Sequence, residues 1–221
     1  MSSVPLYTDL KYNLYLRFKY GLMSLTQEGW FDAFRRGGQN FWSQPWISFA
    51  AKEYLTGIVS PDDSCLEYGS GNSTRWLCQA VKSVRSIETD EAFANAFFRQ
   101  GLPANCTLSL VEANDKDGAL NDAYLAPLEE RGYDVIFIDG RHRVACFERA
   151  IGSVRTNGVV VFDNLDRDRY APARDLITKQ KIPIVPIRGA TPFTDHLMTT
   201  AFLFPKGTSR LTTTRITPQK Y

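Results

Sequence analysis

From Ser64 onward the chain alternates short apolar runs with segments of helical character, and this alternation limits the fold more than any other feature. Ser64–Glu67, Val84–Glu88, Thr107–Glu112, Asp134–Asp139 and Val159–Asp163 read as strands. Ser73–Lys82, Glu91–Gln100, a stretch near Asn121–Arg131 and Val144–Val154 read as the helices between them, and a further helix falls around Ala173–Gln180. The run Asp134-Val135-Ile136-Phe137-Ile138-Asp139 is apolar at every inner position, not at every second one, which is the pattern of a strand covered on both faces. Such strands separated by helices predict an α/β domain built on a mostly parallel sheet. Asn157-Gly158 is expected to turn the chain into the fifth strand. The last two β-like runs, Ile184–Ile187 and Met198–Phe204, are joined by a loop of about ten residues, which favours an antiparallel hairpin at the end of the sheet.

The first strand stops at Leu66-Glu67-Tyr68-Gly69-Ser70-Gly71-Asn72-Ser73-Thr74. A strand that ends in a glycine turn and passes straight into a helix makes a small-ligand cradle. Glycine lets the ligand approach the backbone, and the free N–H groups of the new helix point at it. A dinucleotide site needs a third glycine where Thr74 stands. Ligands of open parallel sheets bind at the carboxyl ends of the strands. The other strand ends carry Glu88 with Thr89 and Asp90, Glu112 with Asn114 and Asp115, Asp139-Gly140-Arg141-His142-Arg143, and Asp163-Asn164. Polar or acidic clusters at successive strand ends point to one shared site.

With 221 residues and 43% hydrophobic content the chain suits one α/β domain with a full core, and a net charge of +2 gives no broad basic footprint for nucleic acid. Cys65, Cys78, Cys106 and Cys146 form no CxxC pair and read as buried free thiols in a reducing compartment. No run reaches the ~18–20 apolar residues of a transmembrane helix. Ser2 to Asp9 lacks the layout of a signal peptide, so a soluble cytoplasmic protein is expected. Three regions are expected: a helical cap over residues 1–60, the α/β domain over 61–205 and a basic tail over 206–221. In the cap, Leu10, Leu14, Phe18, Leu22 and Leu25 line one helical face, flanked by Lys11, Tyr12, Tyr15, Arg17 and Lys19. That face suits packing on the domain or on a second subunit of a homodimer, or contact with a membrane surface. Arg35–Asn40 reads as a loop, and Trp42, Pro45 and Trp46 lead into a helix over Ile47–Leu55. In the tail, Lys206, Arg210, Arg215 and Lys220 have no acidic residue among them and read as a solvated terminus.

Glu67–Ser73, Ser86-Ile87-Glu88, Ile138–Arg143 and Phe162–Arg167, in this order and spacing, resemble the class I S-adenosylmethionine-dependent methyltransferases of bacteria. Gly29-Trp30-Phe31, Pro45-Trp46 and Thr199–Phe204 are similar to a group associated with capsule and cell-surface glycan biosynthesis. The resemblance implies a Rossmann-like seven-strand sheet with one reversed strand, S-adenosylmethionine as cofactor, and O-methylation of a small-molecule or glycan hydroxyl. It implies that Glu67 attracts the ammonium of the methionine end and Ser73 bonds the cofactor carboxylate, that Gly69 and Gly71 keep side chains away from the cofactor with Ser70 also binding it, that Glu88 meets the ribose, that Glu112 or Asn114 meets the adenine, and that Asp139 lies against the cofactor. Ser73 suits helix capping equally well.

Catechol-type O-methyltransferases, a second resemblance, imply a divalent cation such as Mg²⁺ on Asp139, Asp163 and Asn164, with His142 in the place of their lysine base. Asp139 is the other candidate base. The alternative to the metal puts Asp163 at the acceptor or on a helix cap. Arg141, Arg143, Arg167 and Arg169 either bind an anionic acceptor or pair with Asp139, Asp163, Asp166 and Asp168, and His196 sits in a loop that can reach the acceptor. Trp46 and Tyr68 are expected in the core, with a contact to the sulfonium as the other reading. Two other functions stay open: an NAD-dependent oxidoreductase, which Thr74 speaks against, and a non-catalytic accessory protein of glycan assembly.

Overall fold

A computed structural model describes residues 45–99, 101–130, 132–189, 191 and 197–212. The expected helix at Leu10–Leu25, the Arg35–Asn40 loop, Trp42, His196, Arg215 and Lys220 lie outside the described residues, and so does the proposed dimer contact. In chain order the elements are α1 (Phe49–Ile58), β1 (Ser64–Tyr68), α2 (Asn72–Ala80), β2 (Ser83–Glu88), α3 (Glu91–Phe97), β3 (Cys106–Leu110), α4 (Asp122–Glu129), β4 (Tyr133–Ile138), α5 (Arg143–Ser153), β5 (Val154–Asp163), a single 3-10 turn at Asp168–Tyr170, α6 (Ala171–Gln180), β6 (Ile184–Gly189), β7 (Met198–Leu203) and α7 (Ser209–Thr212).

The strands form one seven-stranded sheet in the order β3-β2-β1-β4-β5-β7-β6. β1 pairs in parallel with β2 and β4, β2 with β3, and β4 with β5. β7 runs antiparallel to both β5 and β6. This is the expected class I methyltransferase sheet with its reversed strand. Strand order changes direction between β1 and β4, so their carboxyl ends splay apart there and open a crevice.

Burial on both faces explains the continuous apolar runs. Ile136 and Ile138 of β4 join Leu66, Tyr68, Phe147 and Phe162 in one core under α4, α5 and α6. Val135 and Phe137, the alternate residues of the same strand, join Cys65, Leu77, Val161 and Phe202 under α1 and α2. Asn157-Gly158 does not separate β5 from what precedes it. β5 starts at Val154, and the pair is absorbed as a register shift: Tyr133 faces Val154 while Val135 faces Val159. Asn157 takes a left-handed φ of 61° there. The four cysteines are free, Cys65 and Cys146 buried and Cys78 and Cys106 partly so. Tyr68 is fully buried, whereas Trp46 is 48% exposed and so is no core residue. Among the described residues no helix is long and apolar enough to cross a membrane.

The start of the basic tail is tied to the sheet and not merely solvated. Arg210 of α7 donates from both terminal nitrogens to the buried Asp63 carboxylate at 2.6 and 2.7 Å, and from Nε to the Asn157 carbonyl at 2.7 Å. Lys206 donates to the Gly152 carbonyl at 2.6 Å. A guanidinium fork matches a carboxylate bidentately, which local charge counting along the tail cannot reveal.

Candidate active site

The crevice at the β1/β4 switch point is built on two glycines in contact. Gly69 has φ of 91°, a conformation that side chains resist, and a Cβ there would meet the Gly140 nitrogen at 2.9 Å. A Cβ on Gly140 would strike the Tyr124 hydroxyl at 2.7 Å. Gly69 is thus required by the neighbouring loop, not by clearance for a ligand. That hydroxyl accepts from the Arg141 N–H at 3.1 Å and donates to its carbonyl at 3.3 Å, so Tyr124 of α4 sets the course of the loop after β4. At Gly71, by contrast, a Cβ would have no atom within 4 Å, so the turn is open on that side. The cleft has a volume of about 750 Å³ and is lined by Gly69, Ser70, Glu88, Asp90, Tyr124, Asp139, Arg141, His142, Arg143, Glu148, Arg169 and Tyr170, among others.

Glu67 lies beneath the glycine turn, fully buried. Its Oε2 accepts from the Thr74 and Ser86 hydroxyls, each at 2.6 Å, while its Oε1 has no hydrogen-bond partner. Burial pushes this carboxyl up to about 7, and the hydroxyls of Ser73, Ser86 and Thr74 pull the other way. Thr74 also accepts from the Gly71 N–H at 2.9 Å, which caps α2. One threonine therefore closes the turn, caps the helix and anchors Glu67, at the position where a dinucleotide fold would carry glycine. Ser73 faces Glu67 and is not the N-cap, a place that Gly71 takes.

Glu88, at the end of β2, accepts from the Ser70 N–H at 3.0 Å and the Ser70 hydroxyl at 2.7 Å through Oε2. Its Oε1 accepts from the Thr89 and Asp90 N–H groups at 2.7 and 3.0 Å. A carboxylate has about four lone-pair sites, so Glu88 is saturated and pins the β1 turn to the β2 end. Glu112 lies on the surface beyond β3, off the cleft wall. Asn114 meets His142: its Oδ1 contacts Nε2 of the imidazole. His142 is an exposed, left-handed residue (φ 43°) at the head of α5, on the cleft rim.

Asp139, Asp163 and Asn164 converge as expected, but on a guanidinium. Arg143 donates to the carbonyls of Asp139 (2.6 Å), Gly140 (3.0 Å) and Asp163 (2.7 Å), and to Asn164 Oδ1 at 3.3 Å. It pairs with the Asp139 carboxylate at 2.5 Å and lies 4.0 Å from that of Asp163. Asp163 Oδ1 accepts from the Thr200 hydroxyl of β7 at 2.7 Å, and burial, with the Asp139 charge adding, pushes its carboxyl up to about 7. At the expected metal ligands, the Asp139 carboxylate and Asn164 Oδ1 meet Arg143, and the Asp163 carboxylate accepts from Thr200 with the guanidinium 4.0 Å away. Of the arginines at this end, Arg143 alone pairs with a described carboxylate. Arg169 stacks on the Tyr170 ring at 4.9 Å, and Arg141 and Arg169 both line the cleft.

Residues 66–165 match the family model of a methyltransferase domain. No curated protein matches the chain. Among solved structures it is similar to the O-methyltransferase TomG from Streptomyces achromogenes, solved with S-adenosylmethionine, at 18% identity and a TM-score of 0.54 over 78% of this chain and 86% of that one. An O-methyltransferase from Bacillus cereus, in complex with S-adenosylhomocysteine, matches at 21% identity and a TM-score of 0.51 over 68% and 76%. An rRNA methylase from Streptococcus thermophilus matches at 11% identity and a TM-score of 0.51 over 71% and 95%. At these identities the likeness is one of fold, and it spans different acceptors.

Proposed function

We propose that the chain is an S-adenosylmethionine-dependent methyltransferase that acts on an oxygen, with a small-molecule or glycan hydroxyl as acceptor. One observation carries the reading: the open glycine turn at the switch point is tied through Ser70 to Glu88 and through Thr74 to Glu67. The chemistry fits the cofactor at both ends. The partnerless Oε1 of Glu67 is an orphaned buried acceptor beneath the turn, which the cofactor's ammonium would satisfy directly or through one water. The Ser70 hydroxyl on Glu88 marks where a ribose hydroxyl would donate, once Ser70 rotates away. The O-methyltransferase matches and the bacterial resemblance support oxygen as the atom modified.

S-adenosylmethionine would supply an electrophilic sulfonium methyl; the protein must align and deprotonate the acceptor. His142 is the better base of the two candidates. Asp139 is committed to Arg143, whereas the His142 imidazole stands exposed on the cleft rim, where it can reach an acceptor hydroxyl. Asn114 Oδ1 contacts Nε2, which leaves Nδ1 as the ring nitrogen to face an acceptor proton. Arg141 and Arg169 line the cleft together with Glu88, Asp90 and Glu148, and their guanidinium groups suit an acceptor that carries a carboxylate or phosphate near its hydroxyl.

Calorimetry tests the reading. S-adenosylhomocysteine should bind the full chain with saturable heat while NAD does not. No heat with either the methyl donor or its spent form would end it, and tight NAD binding alone would favour an oxidoreductase. A variant that loses the cofactor and keeps its biological activity would favour an accessory role.

A further inference from the structure

We propose that the Arg143 guanidinium is the resident cation of the acceptor end of the cleft, holding Asp139, Asp163 and Asn164 as a divalent metal would, so that this site takes no metal. The proposal deepens the methyltransferase reading and rests on it only for what is bound beside Arg143. The oxygens gathered here are the hard donors that suit Mg²⁺: two carboxylates, a carboxamide and main-chain carbonyls. All but the Asp163 carboxylate meet an N–H of one side chain instead, and that carboxylate lies 4.0 Å from the same guanidinium while accepting from the Thr200 hydroxyl. Arg143 is the first residue of α5, so its stem starts between the β4 and β5 ends, and only 10% of the side chain is exposed. The Tyr170 ring lies 5.6 Å from the guanidinium carbon and backs the fork.

The geometry asks for a planar fork and not a point charge. Nε and both terminal nitrogens each have an oxygen to meet, and those oxygens lie on loops from two strands. A lysine would satisfy fewer of them. Asn164 takes a left-handed φ of 61° and its Oδ1 accepts from Arg143, so even the residue that completes the expected metal triad is turned to the guanidinium. A divalent ion brought to these oxygens would sit against a buried positive charge and would have to displace it. Arg143 is therefore a positioning residue: it holds the strand-end carbonyls and carboxylates that shape the acceptor wall. The acceptor hydroxyl would then be activated by a base and not by a Lewis acid.

The test needs no knowledge of the acceptor. MgCl₂ and MnCl₂ are titrated calorimetrically into the full-length wild type, Arg143→Ala, Arg143→Met, Asp163→Asn and Arg143→Ala/Asp163→Asn, with and without S-adenosylhomocysteine. Folding is checked by circular dichroism. Wild type should give no saturable heat. The folded Arg143 variants should gain cation binding at least about tenfold above wild type, a change that mere loss of structure cannot produce, and Asp163→Asn should abolish the gain. Saturable Mg²⁺ binding to wild type that Asp163→Asn removes would overturn the proposal, as would a folded Arg143 variant that gains none. If neither variant folds, the wild-type titration still decides. The S-adenosylhomocysteine heat is read separately, so its absence would sink the methyltransferase reading and leave the result on Arg143 intact.

Discussion

Glu67 shows how one buried residue couples the cofactor turn to stability. Folded, its carboxyl keeps its proton up to about 7; unfolded, it gives the proton up near 4.5. Between those values the native state binds more protons, so stability should fall as pH rises through the window and level off above it. At about 1.4 kcal/mol per unit, the fall is about 3 kcal/mol at most, and Glu67→Gln, which keeps the neutral shape, should flatten it. Urea unfolding at pH 5 and pH 8 for both proteins checks this; an unchanged slope in the variant would exclude Glu67 as the source. Glu88 acts differently, because four donors hold it in place. Glu88→Ala frees the Ser70 turn and removes the proposed ribose acceptor. S-adenosylhomocysteine affinity should drop roughly tenfold to a hundredfold by calorimetry.

At the scale of elements, the site depends on the close approach of two turns. The β1 turn and the β4 loop touch through Gly69 and Gly140, with Tyr124 of α4 over the contact. Gly140→Ala places a methyl against the Tyr124 hydroxyl and the Gly69 and Tyr68 backbone at 2.7–3.0 Å. Backbone cannot yield cheaply, so the variant should lose about 1–3 kcal/mol or more. The loss should appear in denaturant midpoints, with cofactor affinity falling alongside. Thr74→Val keeps the volume of α2's first turn and deletes the oxygen that joins Gly71 N–H to Glu67. It should destabilise by about 1–3 kcal/mol, since a buried acceptor is left short of a donor. A variant as stable as wild type would show that the Thr74 link is dispensable.

For the whole molecule, the decisive long-range contact lies at the opposite end of the sheet from the cleft. Asp63, just before β1, binds Arg210 near the far end of the described chain. Asp63 is 4% exposed, so Asp63→Ala leaves a half-buried guanidinium without its counter-charge. The expected loss is about 3 kcal/mol, read by thermal or urea unfolding, with S-adenosylhomocysteine affinity unchanged in the folded fraction. A fall in affinity without a fall in stability would place this pair in the site's coupling network instead.

Strand and helix positions, the reversed strand, the glycine turn and the convergence of carboxylates at the strand ends follow from the sequence by itself. Each rests on local physics: apolar periodicity, backbone freedom at glycine, and the direction of parallel strands. Even there, Asn157-Gly158 reads as a turn and proves to be a shift inside β5, because turn chemistry does not say whether the pairing strand continues alongside. What only the tertiary structure decided is who partners whom. Thr74 and Ser86 meet under Glu67, Tyr124 steers the loop after β4, and Arg143 stands where a metal was expected. Hydrogen bonds and ion pairs depend on angstrom-scale distances between strand ends far apart in the chain. The same carboxylate can thus read as a metal ligand in sequence and be an arginine's partner in space.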